Sequence, residues 1–113
     1  MPIRSSLEQR VIDLEALGGS VDVIYSLPYV AKTGTYTITT DDYLINCTSN
    51  TFTLTLPTAV SAEGRSYVVK NSGSGVITLE ANGSQTIDGS LNISLTQYDS
   101  ITVVSNGSNW III

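Results

Sequence analysis

The chain has 113 residues, enough for one domain with a short appendage. Only 13% of them are charged, well below the ~25% usual for soluble domains; 15 Ser, 14 Thr and 7 Asn supply the polar surface instead. A net charge of −5 argues against nucleic-acid binding, which calls for a basic stripe over the phosphates, and 42% apolar residues argue against a disordered tail.

The absence of His removes the commonest general base and the usual triad, and with it most zinc sites. Cys47 is alone, so no internal disulfide forms. With no cationic neighbour in sequence to lower its pKa, it reads as a buried, inert thiol. The opening MPIRSSLEQR carries no apolar h-region, so no secretory signal is expected. No apolar run approaches the ~20 residues of a membrane helix.

In chain order, residues 1–19 form the only helical segment. Ser5-Ser6-Leu7-Glu8 matches a capping box, in which a hydroxyl and a Glu three residues on satisfy free backbone N–H groups. Leu7, Val11, Leu14 and Leu17 recur on one helical face, and Gly18-Gly19 supplies the stop. A helix of about eleven residues, ~16 Å long, does not hold in water by itself. Its apolar face must be covered, either by its own β domain or by copies of itself in a short parallel bundle. Residues 20–33 read as an extended arm. Pro28 keeps it from being helical, and Tyr25, Leu27, Tyr29 and Val30 are too apolar for a free linker. The arm must lie on its own domain or on a neighbour, and its length favours the bundle for the helix.

From Gly34 the period is two. The clearest run is Thr51 to Leu56, with Phe52, Leu54 and Leu56 facing in, three Thr facing out and Pro57 at its end. Further strands are expected at 35–39, 43–47, 67–70, 76–80, 86–88, 91–95, 101–105 and 110–113. Between them stand turn residues such as Ser72-Gly73-Ser74-Gly75, Asn82-Gly83, Asp88-Gly89 and Asn106-Gly107. This spacing predicts an all-β sandwich or barrel over residues 34–113, read as an antiparallel β-sandwich or jelly-roll-like knob with an intertwined trimeric barrel as the alternative. Ser72–Gly75 reads as a flexible hairpin loop. Without a Lys or a following helix it is no phosphate loop. The closing Trp110-Ile111-Ile112-Ile113 is apolar throughout, which predicts a strand central in a sheet or sealed by another subunit.

A β domain of ~80 residues buries only about 60–65% of its unfolded surface and is marginal alone. With no disulfide or metal to staple it, oligomerisation is the remaining route to stability. Leu7, Val11, Leu14, Leu17, Trp110, Ile111 and Ile113 are the expected oligomer-interface residues.

Chemistry is otherwise sparse. Asp41-Asp42 is the only acidic pair. It falls between strands, where Asp suits a turn, and lacks the further oxygen ligands a calcium loop needs. Glu63, Glu80, Asp88 and Asp99 are scattered singly. No catalytic, metal or cofactor site is expected, and the chain reads as a non-enzyme. Six Tyr against one Phe and one Trp suit a subunit interface, or less readily a face that stacks sugar rings.

The stretch GRSYVVKNSGSGVITLEANGSQTIDGS (64–90), followed by LTQYDSITVVSNGSNWIII (95–113), resembles a β module of tailed-bacteriophage virion proteins, found in tail fibres and in head decoration or head fibre proteins. The Gly-Arg-x-Tyr-x-x-Lys-Asn entry, the Gly-Ser-Gln-Thr-Ile-Asp-Gly turn and the closing Ser-Asn-Gly-Ser-Asn-Trp carry the likeness. TYTITTDDYLINCTSNTFTLTLP looks like its start, so about residues 34–113 are covered and 1–33 are not. The resemblance implies a homotrimer located on the virion, at the capsid exterior or in a tail fibre. Its partners would be copies of itself and the major capsid protein or another virion protein, with no nucleic acid or membrane. The start at Met1 and the lack of a long shaft favour a capsid decoration (cement) protein or short head fibre. The alternative is a receptor-binding module that takes a host glycan or protein.

Overall fold

The computed structural model describes residues 26–113. The expected helix with Leu7, Val11, Leu14 and Leu17, and the arm up to residue 25, lie outside the described residues.

Nine strands follow: β1 (Tyr29–Lys32), β2 (Tyr36–Thr37), β3 (Leu44–Cys47), β4 (Phe52–Thr55), β5 (Ser66–Asn71), β6 (Ile77–Glu80), β7 (Asn92–Leu95), β8 (Ser100–Ser105) and β9 (Trp110–Ile112). They form a five-stranded sheet in the order β1-β3-β5-β8-β9 and a four-stranded sheet in the order β2-β4-β6-β7. The all-β expectation holds, and apolar side chains from both sheets meet in one core.

The expected antiparallel pairing is corrected. From β1 to β6 the chain changes sheet at every connection, so β1, β3 and β5 run parallel, as do β2, β4 and β6. Each crossover between parallel neighbours is a strand of the opposite sheet, a solenoid-like coil in place of a meander. Only the closing pairs β6–β7, β5–β8 and β8–β9 are antiparallel. The sequence misled because a Gly- and Ser-rich turn reads alike whether it reverses the chain within a sheet or carries it across.

Ser72–Gly75 shows this. It links β5 in one sheet to β6 in the other, so it is not a hairpin. It stacks on the preceding turn: the Ser72 N–H donates to the Cys47 carbonyl at 2.8 Å. A Cβ at Gly75 would lie 2.5 Å from the Asn50 carbonyl oxygen, an approach open only to glycine. Buried Asn71 fastens the same corner. Its Nδ2 donates to the Gly75 and Leu95 carbonyls at 2.7 and 2.9 Å, and its Oδ1 accepts the Gly73 N–H at 3.1 Å.

Alternation puts Ile45, Cys47, Tyr67, Val69, Val103 and Trp110 of the large sheet against Phe52, Leu54, Ile77, Leu79 and Leu95 of the small one. Phe52, Leu54 and Leu56 face inward as the sequence predicts. Two placements follow, the first within the alternatives the sequence left open and the second against the expected central strand. Tyr29–Lys32 pairs with β3, so this part of the arm is an edge strand of the chain's own sheet. The last strand, β9, closes the sheet order beside β8 and has on its far side only the isolated parallel bridge Ile87–Trp110, so it is not central.

Candidate interaction surfaces

In both parallel and antiparallel ladders, residues in register point to the same side of a sheet, so the outer faces can be read across strands. On the small sheet, Thr53, Thr78 and Ser94 form one outward row; Thr37, Thr55, Glu80 and Asn92 form the next. No apolar side chain lies among them. This is an ordinary wetted face.

The large sheet is the opposite. Tyr29, Leu44, Val68 and Thr102 stand in register across β1, β3, β5 and β8. Ile113 completes the row, its N–H donating to the Thr102 carbonyl at 3.0 Å. Beside it runs a shorter row of Ser66, Val104 and Ile111. On the other side lies a more polar row, Ala31, Asn46, Lys70 and Ser100. Tyr29 is 59% exposed, Ile111 38% and Ile113 74%. An apolar row thus crosses the sheet from edge to edge. None of its strands carries an Asp or Glu.

Of the sequence-predicted interface residues, Ile111 and Ile113 lie on this face. Trp110 does not, being 1% exposed inside its own core. Tyr29, Leu44, Val68 and Val104 belong to the face but are absent from the sequence-based set. Their signal is the paired apolar residues Val68-Val69 and Val103-Val104, which place one member on each side of a strand.

Two exposed tyrosines flank the polar row. The Tyr29 hydroxyl accepts Asn46 Nδ2 at 3.1 Å, and Asn46 Oδ1 accepts the Ser72 hydroxyl at 2.6 Å. Tyr98, 68% exposed, has φ 69°. Its carbonyl accepts Lys70 Nζ at 2.7 Å.

An open cleft of about 520 Å³ lies at one end, lined in part by Pro28, Asp41, Asp42, Tyr43 and Arg65. Two of its charged groups, Arg65 and Asp42, are committed to the fold. The Arg65 guanidinium donates to the carbonyls of Thr40 and Asp42, the latter at 2.9 Å. Asp42 Oδ2 accepts the Tyr36 hydroxyl at 2.6 Å, the Thr39 N–H at 2.9 Å and the Thr39 hydroxyl at 3.2 Å. Partial burial opposes the Asp42 charge, but these donors outweigh it, aided by Lys32, and hold the carboxyl below its ordinary value. The same hydrogen bond to Asp42 raises the Tyr36 phenol. Lys32 Nζ sits 3.9 Å from the centroid of the Tyr36 ring. Asp42, of the acidic pair, therefore caps a turn, as the pair's position between strands suggested. Among the described residues no three of His, Cys, Asp and Glu gather as metal ligands, and no helix is long and apolar enough to cross a membrane.

Cys47 is fully buried, and desolvation pushes its thiol up to about 11. Tyr67 Oη and Trp110 Nε1 are buried without a hydrogen-bond partner.

No protein-family model matches this chain, and no significant match emerges among curated proteins or solved structures.

Proposed function

We propose that this chain is a structural virion protein of a tailed bacteriophage, a capsid decoration (cement) protein or short head fibre. It acts without catalysis, as a homotrimer on the capsid exterior with the major capsid protein as partner. Binding the assembled lattice in preference to free subunits stabilises the lattice by mass action.

The observation that carries the reading is the contrast between the two outer faces. One is all Thr, Ser, Asn and Glu, and the other bears Tyr29, Leu44, Val68, Val104, Ile111 and Ile113. A sheet of the second kind is built to be covered by protein, whereas an enzyme of this size would gather polar groups in a cleft. The motifs in residues 64–113 supply the virion part of the reading, and the low charge suits a particle surface insensitive to salt.

The test is removal of the protein from virions. Lower capsid resistance to heat and lost density at the capsid symmetry axes are expected. Unchanged particles overturn the reading.

A second reading is a fibre module that binds a host glycan. The exposed Tyr29 and Tyr98 rings beside Asn46 and Lys70 favour it, since aromatic faces stack on sugars. Adsorption of the purified protein to host cells, lost in Tyr98→Ala, would support this reading over the first.

A further inference from the structure

The outer face of the large sheet has no cover among the described residues, and its composition specifies what covers it. We infer that copies of this chain meet there, on the row Tyr29–Leu44–Val68–Thr102–Ile113 with Val104 and Ile111 beside it. This deepens the self-association on which the proposed function rests, by naming the surface and its occupant.

The small sheet serves as an internal comparison. Its outward strand positions show what this protein places in water: hydroxyls, an amide and a carboxylate, with Val76 just before β6 an exposed apolar neighbour. Both sheets have the same alternation and face the same core, so the apolar outer residues of the large sheet are not needed to fold it. They serve a second contact.

Charge selects the partner. The chain carries a net −5, so two copies repel at most approaches. Among the described residues the carboxylates are Asp41, Asp42, Glu63, Glu80, Asp88 and Asp99, and none is on a strand of the large sheet. Lys70 is the one charged side chain in its three outward rows. Its ammonium is already held by the Tyr98 carbonyl. A basic partner would find no Asp or Glu on the strands of this face, only Asp88 at its β9 margin, and an acidic one a single occupied cation. A second copy meets no Asp or Glu on these strands, and the one like charge it meets is a Lys70 already held by its own chain. The row also spans the sheet from β1 to the chain end beyond β9, so copies turned about a common axis bring apolar residues together along its length.

The experiment measures the mass of the full chain by light scattering at micromolar concentration, for the wild type, Val68→Lys and Thr78→Lys. Val68 is central on the large sheet, and Thr78 is the equivalent outward position on the small one. The wild type is expected to run at a multiple of 12.0 kDa. Val68→Lys should fall to the single chain, or associate at least tenfold more weakly, while Thr78→Lys matches the wild type. Trp110 fluorescence reports folding. Should Val68→Lys unfold, Val68→Cys replaces it: mild oxidation should join two copies through residue 68, with Thr78→Cys left unjoined. Unchanged mass in Val68→Lys, or no joining through Val68→Cys, overturns the inference while leaving the virion reading standing. A wild type of 12.0 kDa overturns it as well. Association through this face without binding to capsids supports the inference and overturns the virion reading.

Discussion

The Tyr67 and Trp110 rings lie 5.6 Å apart, tilted by 57°, and join the middle of the large sheet to its last strand. Tyr67 faces inward from β5, and Trp110 from β9 beside Ser105. An edge strand of three residues makes few ladder bonds, so this contact and the Trp110 N–H to Thr86 carbonyl bond (2.9 Å) anchor the chain end.

Two substitutions should therefore diverge. Trp110→Ala empties a buried site and should cost about 3–5 kcal/mol. Tyr67→Phe keeps the ring contact and removes a hydroxyl that is buried without a partner. It should be neutral or stabilising, because an unpaired buried polar group is a penalty. Urea denaturation of both variants checks this, and a loss above ~1 kcal/mol in Tyr67→Phe would show the hydroxyl to be paired.

Asp42 gives the fold a pH dependence. Its carboxyl titrates below the ordinary value in the folded chain, so the folded state favours the charged form. The stabilisation is complete above the unfolded value near ~4 and is lost as pH falls through the lower, folded value. Asp42→Ala leaves the Thr39 N–H and Tyr36 hydroxyl without their acceptor and should cost about 1–3 kcal/mol at pH 7. The gap to wild type should narrow between pH 5 and pH 2, on the order of the span set by the two values. Denaturation midpoints across that range test it; a constant gap would mean that the charge is not what matters.

Gly75→Ala should destabilise by roughly 1–3 kcal/mol, since its Cβ would meet the Asn50 carbonyl and Thr51 Oγ1 at 2.5 Å. Gly83→Ala is the informative comparison. Its Cβ would meet nothing within 4 Å, and the only cost is a φ of +55°. Thermal melts should place Gly75→Ala lower. The reverse order would mean that the stacked turns separate easily.

Cys47 should resist alkylation at pH 7.5 in the native protein and react fully in denaturant. Burial both screens the sulfur and pushes the thiol to about 11, leaving little thiolate. Mass spectrometry after iodoacetamide treatment reads the outcome directly, and fast native labelling would reveal local opening of β3.

The strand positions were legible because alternation is a local property. The Thr51–Leu56 run shows its buried face, and Asp41-Asp42 and the Gly-containing turns show where strands stop. Cys47 was legible in the same way. The candidate surface was legible only at Ile111 and Ile113, where apolar residues crowd together. Trp110 belongs to the same crowded run but packs inward, and no local signal separates it from Ile111.

The sequence by itself therefore determined that the described residues form an all-β fold of short strands with a hydroxyl-rich surface, because composition and a period of two survive without knowledge of the partners. Tertiary structure alone decided that from β1 to β6 strands adjacent in sequence lie in opposite sheets. With that pairing, Tyr29, Leu44, Val68, Thr102 and Ile113, 84 positions apart from first to last, fall into one row. The physical reason is that a turn's own residues specify its bend, whereas which sheet the next strand joins depends on where distant side chains find a core to fill.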